Sequence, residues 1–241
     1  MISIDRPLGL SELLAETVRL YGQRFVSALT LGLPAAAASV AAHYTPAVVD
    51  VFLFSIAFTP AYAAAARFAA GDGLAEAWAQ TLVRLPTLAV LTVIVAMPFA
   101  LAAGQLYLVL VAAAWLGVTG FSIPVTMLER EPGKESWFER LTFALYRSAC
   151  LARAEPLHAV GIVAGLVIVY VVLGIVLAAT LAGFADNGQT VSVAIAQVVL
   201  APLFFLGLSV LYFEQKARAI SSRGDRTRRP DAEVPDAVDP E

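Results

Sequence analysis

Long apolar runs separated by short polar segments make up most of the chain. Residues 25–42 and 85–128 carry no charged side chain, and residues 47–66 carry only Asp50. A helix needs about 20 apolar residues to cross a hydrocarbon core about 30 Å thick. As a single helix, the run at 85–128 would be about twice as long as that core is thick. It must therefore fold back, and the Ala-Gly-Gln sequence at 103–105 is the natural turn.

This pattern predicts an all-α membrane protein with six transmembrane helices. The predicted spans cover about residues 25–42, 47–66, 85–102, 106–128, 156–183 and 188–213. Residues 1–24 form a predicted amphipathic N-terminal segment, and residues 25–214 form the membrane domain. Residues 215–241, rich in Asp, Pro, Arg and Glu, are predicted to be a disordered charged tail. Overall, 59% of the residues are hydrophobic and only 15% are charged, which excludes an ordinary soluble domain.

The charges give an independent test of the span count. All 16 Lys and Arg residues lie in four segments, namely 6–24, 67–84, 130–153 and 216–229. The connections at 43–46, 103–105 and 184–187 contain none. Basic and non-basic connections thus alternate, as the positive-inside rule requires. The sequence predicts an even number of spans, with both termini cytoplasmic and the chain in the cell (inner) membrane.

An internal repeat accompanies the spans. GLSELLAET at 9–17 and GLAEAWAQT at 73–81 lie 64 residues apart. Further pairs with this period are Pro34 with Pro98, Pro60 with Pro124 and Glu12 with Glu76. A weaker third copy begins near Ser136. We therefore expect three pseudo-repeats, each an amphipathic cytoplasmic helix followed by a transmembrane hairpin. Asp72 is the expected N-cap of the second amphipathic helix, and Ser136 with Glu139 matches a capping box for the third.

The amphipathic segments supply the candidate binding residues. The basic and aromatic side chains that could bind lipid or a partner are Arg19, Trp78, Arg84, Trp137, Arg140 and Arg147. In one interpretation these helices only orient the hairpins or pack on the bundle. In the other, they form a basic interfacial surface that binds anionic lipid, or another membrane or cytoplasmic protein.

Inside the spans the polar signals are sparse. Asp50 is the only acid or base, and it lies near the predicted outer surface. The predicted helix-kink positions are Pro34, Pro60, Pro98, Pro124 and Pro202. The hydroxyls of Tyr62 and Thr126 could bond the carbonyls that neighbouring prolines release, or the broken helices could line a substrate path. A GxxxG at 161–165 favours close helix packing.

No catalytic, metal-binding or nucleic-acid-binding pattern is present. The sequence has no Gly-x-Ser-x-Gly, His-Glu-x-x-His or Walker loop. Two histidines and one cysteine offer no metal-ligand set, and no cofactor is implied. We expect a non-enzymatic accessory module that organises lipid or a partner at the inner leaflet. The alternatives are a transporter for an uncharged or lipid-like substrate, and a lipid-headgroup enzyme using acids between Glu129 and Glu139.

Three phrases resemble a known family. LGLSELLAETVRLYGQRF at 8–25, IPVTMLE at 123–129 and LYFEQKAR at 211–218 are similar to a bacterial six-span membrane-domain family. That family occurs alone or as the membrane domain of some glycerophosphodiester phosphodiesterases. The resemblance implies a six-span helical domain, and it implies no catalytic residue because the soluble barrel of the fused members is absent from this sequence. Arg147-Ser148 is followed here by Ala149, where the family usually has an aromatic residue.

Overall fold

The chain is all-helical throughout the part that the computed structural model describes, residues 8–101, 106–129, 136–182 and 188–227. These residues form ten helices and no strand. The helices are α1 (Leu10–Gln23), α2 (Phe25–Ala42), α3 (Ala47–Ala70), α4 (Leu74–Val83), α5 (Leu85–Leu101), α6 (Leu106–Thr119), α7 (Ser122–Leu128), α8 (Trp137–Ala152), α9 (Pro156–Ala182) and α10 (Gly188–Thr227).

Several of these helices are long and apolar enough to cross a membrane. Five stretches qualify, in α2, α3, α6 with α7, α9 and α10, and a sixth qualifies if α4 and α5 are taken together. The axes of α4 and α5 differ by 82°, so α4 does not continue the line of α5. The architecture is consistent with an all-α membrane protein, and the bounds of α2, α5 and α9 lie within one residue of predicted spans.

Helix α6 is separated from α7 by a break that lies just before Pro124. Pro124 lacks a backbone N–H, so it cannot bond the carbonyl of Gly120 four residues earlier, and the helix is interrupted at residues 120–121. The hydroxyls do not act as predicted. Thr126 donates to the carbonyl of Ser122, and Tyr62 donates to the carbonyl of Leu208 on α10. Neither is the carbonyl that a proline releases.

The other predicted kink positions lie inside continuous helices. Pro34 is in α2, Pro60 in α3, Pro98 in α5 and Pro202 in α10. Proline is tolerated in membrane helices where neighbouring groups satisfy the released backbone. Only Pro124 among the five therefore coincides with a break between two helices.

Helix α10 is longer than the sequence predicts. It continues to Thr227, although a disordered tail is expected from residue 215. Glu214 and Arg218 form an (i, i+4) ion pair across the predicted boundary, and Ser221 donates to the carbonyl of Ala217. Such pairs stabilise helices, and the charged composition of this segment hid that signal. Residues 228–241 lie outside the described part.

The helices α1, α4 and α8, here called the lead-in helices, begin alike. Their N-caps Gly9, Gly73 and Ser136 have extended backbones, and each is followed at the N3 position by a glutamate. Ser136 accepts from the amide of Glu139, as expected for a capping box. The expected N-cap Asp72 is wrong by one residue, because its carboxylate instead accepts from Arg67 at 2.5 Å.

Helix α1 lies in the groove between α9 and α10. The side chain of Leu10 lies close to Gly165 of α9, and the fully buried Thr17 lies near Gly207 of α10. Tyr21 donates to the carbonyl of Val199 at 2.9 Å. Because Leu13 is also fully buried, α1 packs against the bundle along its whole length.

Close helix packing occurs at a glycine that the sequence did not single out. A Cβ atom on Gly32 of α2 would lie 2.4 Å from the carbonyl oxygen of Val198 on α10. The predicted GxxxG behaves differently, since Gly161 has no neighbouring atom within 4 Å and Gly165 receives Leu10 of α1. The α2–α10 contact therefore depends on Gly32.

Candidate functional site

Five helices form a ring around a cavity. Helix α3 contacts α5, α5 contacts α6, α6 contacts α9, α9 contacts α10, and α10 closes the ring on α3. The cavity between these helices has a volume of about 390 Å³, within the range of small-molecule sites, about 300–1,000 Å³. It extends along α3 from Asp50 to Tyr62. We call its two ends the Asp50 end and the Tyr62 end.

The wall of the cavity is aromatic and aliphatic. Its rings are Phe54, Phe58, Tyr62, Tyr170, Phe204 and Phe205. Phe58 packs edge-to-face on Phe205 with ring centroids 5.1 Å apart, and Tyr62 stacks on Phe205. Edge-to-face and offset arrangements are favoured between aromatic rings. The rings hold one another in place, so the shape of the cavity is defined by packing.

The polar groups that line the cavity mostly bond to the protein itself. Tyr62 donates to the carbonyl of Leu208, and Thr92 donates to that of Leu88. Tyr170 donates to the side-chain oxygen of Gln197. Asp50 differs, because Thr45 donates to its Oδ1 at 2.5 Å while no described residue donates a side-chain hydrogen bond to Oδ2. One carboxylate oxygen at the Asp50 end can therefore accept a further bond.

The opposite end of the bundle, where Arg67, Arg147 and Lys216 lie, is closed by polar contacts, and we call it the basic end. Arg147 Nε donates to Glu129 Oε2 at 3.0 Å, and Tyr212 donates to Glu129 Oε1 at 3.0 Å. Lys216 Nζ lies 3.5 Å from the same Oε1. Glu129 follows α7, whose residues Ser122–Met127 are all buried. The contacts tie α7, α8 and α10 together.

A second cluster surrounds Glu214 at the basic end. Its side chain is fully buried and accepts from the amide of Leu8 at 3.3 Å and from Arg218. His158 Nε2 lies 3.2 Å from Glu214 Oε1, and Arg218 also pairs with Glu155. A buried carboxylate requires such partners because desolvation is costly. The cluster joins the start of α1 to α9 and α10.

The predicted binding residues do not form one surface. Arg147 is held by Glu129 inside the basic end, and Trp78 packs partly buried against the core. Arg84 is the half-buried C-cap of α4. Arg19 is exposed and bonds Glu16 on the same helix, whose carboxylate raises the pKa of the guanidinium. Each of these four side chains is therefore bonded to, or packed against, other residues of the same chain.

The other two predicted binding residues, Trp137 and Arg140, lie on α8. Trp137 is 59% exposed and packs edge-to-face on Phe138, which is exposed as well. Arg140 lies on the next turn and is also exposed. The opposite face of α8 buries Leu141 and Ala144. An exposed aromatic pair with a basic residue suits a membrane interface.

Sequence reasoning missed both the cavity and the Glu214 cluster. The cavity results from six helix faces that meet in space, and no short motif encodes that meeting. The Glu214 cluster does leave a local signal, because Glu214 and Arg218 are spaced (i, i+4) where an apolar run ends. Glu129, in contrast, reaches Arg147 across 18 residues, and a single sequence does not reveal such a pair.

The arrangement offers no metal site in the described ranges, where no three His, Cys, Asp or Glu side chains are grouped to hold an ion. Comparisons with protein-family models, with curated proteins and with solved structures gave no match. The family resemblance of residues 8–25, 123–129 and 211–218 therefore stays a prediction. The functional argument rests on the geometry of the chain itself.

Proposed function

We propose that this chain is a non-enzymatic integral membrane protein that organises lipid, and that it does so by holding a lipid-like molecule in the cavity. The observation that carries the proposal is the cavity itself, a space of about 390 Å³ walled by aromatic and aliphatic side chains inside a helix ring. A pocket that is mostly apolar with a few polar groups is the usual form of a small-molecule site.

The proposal includes the membrane topology. Six spans place both termini in the cytoplasm and the chain in the cell (inner) membrane. The support is the strict alternation of basic and non-basic connections along the sequence. In this orientation the basic end faces the cytoplasm, and the Asp50 end lies towards the outer leaflet.

The three-unit plan is part of the same proposal. Its support is the common start of the lead-in helices at Gly9, Gly73 and Ser136, each with a glutamate at N3. In addition, Thr17 and Thr81 are both fully buried, and each donates to the carbonyl four residues earlier at 2.8 Å. Equivalent threonines with equivalent bonds favour a duplicated unit.

A role at the inner leaflet remains part of the proposal in a reduced form. The exposed side chains of Trp137, Phe138 and Arg140 on α8 are suited to anchor that helix among lipid headgroups. Arg147 no longer supports this role because Glu129 binds it. Glu129 also gives little support to a headgroup enzyme, since it is occupied by Arg147, Tyr212 and Lys216.

A transporter for an uncharged or lipid-like substrate is the second candidate. The specific observation in its favour is that two prolines adjoin the cavity wall. Pro60 lies between the lining residues Thr59 and Tyr62, and Pro124 follows the lining residue Ile123 at the α6–α7 break. Pro60 lies inside the continuous helix α3, so only the α6–α7 interruption beside Pro124 is a helix break of the kind that occurs at substrate sites of transporters.

The test is whether filling the cavity expels lipid. Val95 lines the cavity, whereas Val93 on the same helix is 57% exposed on the outside of the bundle. Mass spectrometry of protein purified in a mild detergent should detect about one retained lipid per chain in the wild type and in Val93→Phe. Val95→Phe should lose it. Equal retention in the two variants would contradict the proposal.

A further inference from the structure

The dimensions of the cavity fit an extended chain. Asp50 and Tyr62 are twelve residues apart on α3, which is about 18 Å at 1.5 Å per residue. The other helices that line the cavity contribute side chains such as Val171 on α9 and Leu208 on α10. A space that is long in one direction and apolar along its length suits a single hydrocarbon chain.

The two ends of the cavity differ in polarity. At the Tyr62 end the wall consists of ring faces and aliphatic side chains such as Phe205 and Ile123. At the Asp50 end lies a carboxylate with one oxygen that no described side chain occupies. An amphiphile would place its polar group at Asp50 and its chain towards Tyr62, because each part then meets surroundings of its own polarity.

The negative charge of Asp50 determines which polar headgroups are favoured at the Asp50 end. Among the described residues Asp50 forms no ion pair, and the side chain that donates a hydrogen bond to it is the neutral Thr45. The connections at 43–46, 103–105 and 184–187 contain no Lys or Arg. Like charges repel, so an anionic headgroup is disfavoured here. A protonated amine donates charge-assisted hydrogen bonds to a carboxylate.

We propose that the cavity binds a zwitterionic lipid with a primary-amine headgroup, with one acyl chain between Asp50 and Tyr62 and the ammonium group on the carboxylate of Asp50. This inference rests on the proposed function, because it names the ligand of the same cavity. In the proposed orientation the lipid comes from the outer leaflet. Thr45 holds Asp50 Oδ1 in place, which leaves Oδ2 for the amine.

The test is a lipid titration followed by native mass spectrometry of the full chain. The probes are phosphatidylethanolamine, phosphatidylcholine and phosphatidylglycerol with identical acyl chains. The wild type should bind phosphatidylethanolamine most tightly, because phosphatidylcholine has no N–H to donate and phosphatidylglycerol is anionic. Asp50→Asn should weaken phosphatidylethanolamine binding by about tenfold, the effect of about 1.4 kcal/mol, and should remove the preference.

A matched control separates a local effect from a general effect of charge. Glu139→Gln removes one negative charge from the exposed face of α8 and should keep the wild-type order of affinities. If Asp50→Asn keeps that order, if Glu139→Gln loses it, or if the wild type prefers phosphatidylglycerol, the headgroup assignment is wrong. Failure of the proposed function is a different result, namely that Val95→Phe binds all three lipids as the wild type does.

Discussion

The two ends of the helix bundle use polar side chains in opposite ways. At the basic end, Glu129 and Glu214 are each surrounded by donors from several helices. At the other end Asp50 has Thr45 as its side-chain partner, and it lines the cavity. The helices that polar contacts join at the basic end leave a cavity between them towards the Asp50 end.

The comparison distinguishes polar side chains that hold the fold together from a polar side chain that is available to a ligand. A buried carboxylate with several bonded donors stabilises the packing of the segments that carry those donors. A carboxylate with one bonded donor and one spare acceptor beside an apolar cavity has an oxygen that is available to a ligand. An empty cavity would also deprive its lining of van der Waals contacts. A lipid chain in a bilayer restores them.

The largest effect is expected from removing the buried carboxylate of the basic end. Glu214→Ala leaves Arg218 and His158 without their shared acceptor and releases the amide of Leu8. Breaking a buried pair in this way costs about 3–5 kcal/mol, measured as the loss of free energy of unfolding in detergent. The control Glu16→Ala removes an exposed (i, i+3) pair with Arg19 and should cost far less. Similar losses for the two variants would mean that the cluster does not hold the basic end together.

An intermediate effect is expected where the packed helices meet. Gly32→Ala places a methyl group against the backbone of Val198, and overpacking of this kind costs about 1–3 kcal/mol. Gly161→Ala on α9 meets no atom within 4 Å, so the thermal unfolding temperature in detergent should stay the same or rise. Equal losses for both glycines would contradict the packing described here, in which only Gly32 lies against a neighbouring backbone.

The smallest effects are expected when one carboxylate from each end of the bundle is changed, Glu129 at the basic end and Asp50 at the Asp50 end. Glu129→Gln weakens charge-assisted bonds to Arg147 and Lys216, which should lower the free energy of unfolding by about 1–2 kcal/mol. Asp50→Asn should change it by less than about 0.5 kcal/mol, as substitutions away from packed networks do. Chemical denaturation of both variants in one detergent measures the difference. A larger loss for Asp50→Asn would assign Asp50 to the fold and weaken its role as a ligand contact.

The sequence predicts the helices well and the contacts between them poorly. Apolar run length and charge place α2, α5 and α9 within one or two residues of the expected bounds, because both follow from local composition. The break before α7 lies beside Pro124, one of the five predicted kink positions, but the sequence could not show that this proline alone among them would accompany a break. The extent of α10 was underestimated because its charged end reads as a tail, although Glu214 and Arg218 pair within it.

The candidate site could be foreseen only in part. Asp50 stood out as the single ionisable residue in a span, and it does lie in the cavity wall. The basic side chains Arg19 and Arg147 were candidates for binding lipid or a partner, and both have carboxylate partners within the chain. Which helix faces meet, and therefore where a cavity forms, depends on contacts between distant segments. A single sequence does not reveal these contacts.

The most direct measurement is photo-crosslinking with a lipid that carries a diazirine near the end of one acyl chain. After irradiation in vesicles, peptide mass spectrometry identifies the labelled residues. A chain in the cavity predicts adducts on Phe58, Tyr62 or Phe205, which line the Tyr62 end, and predicts that Val95→Phe abolishes them. Adducts confined to the outward-facing Ile168 and Ile175, with none on the cavity residues, would contradict the account.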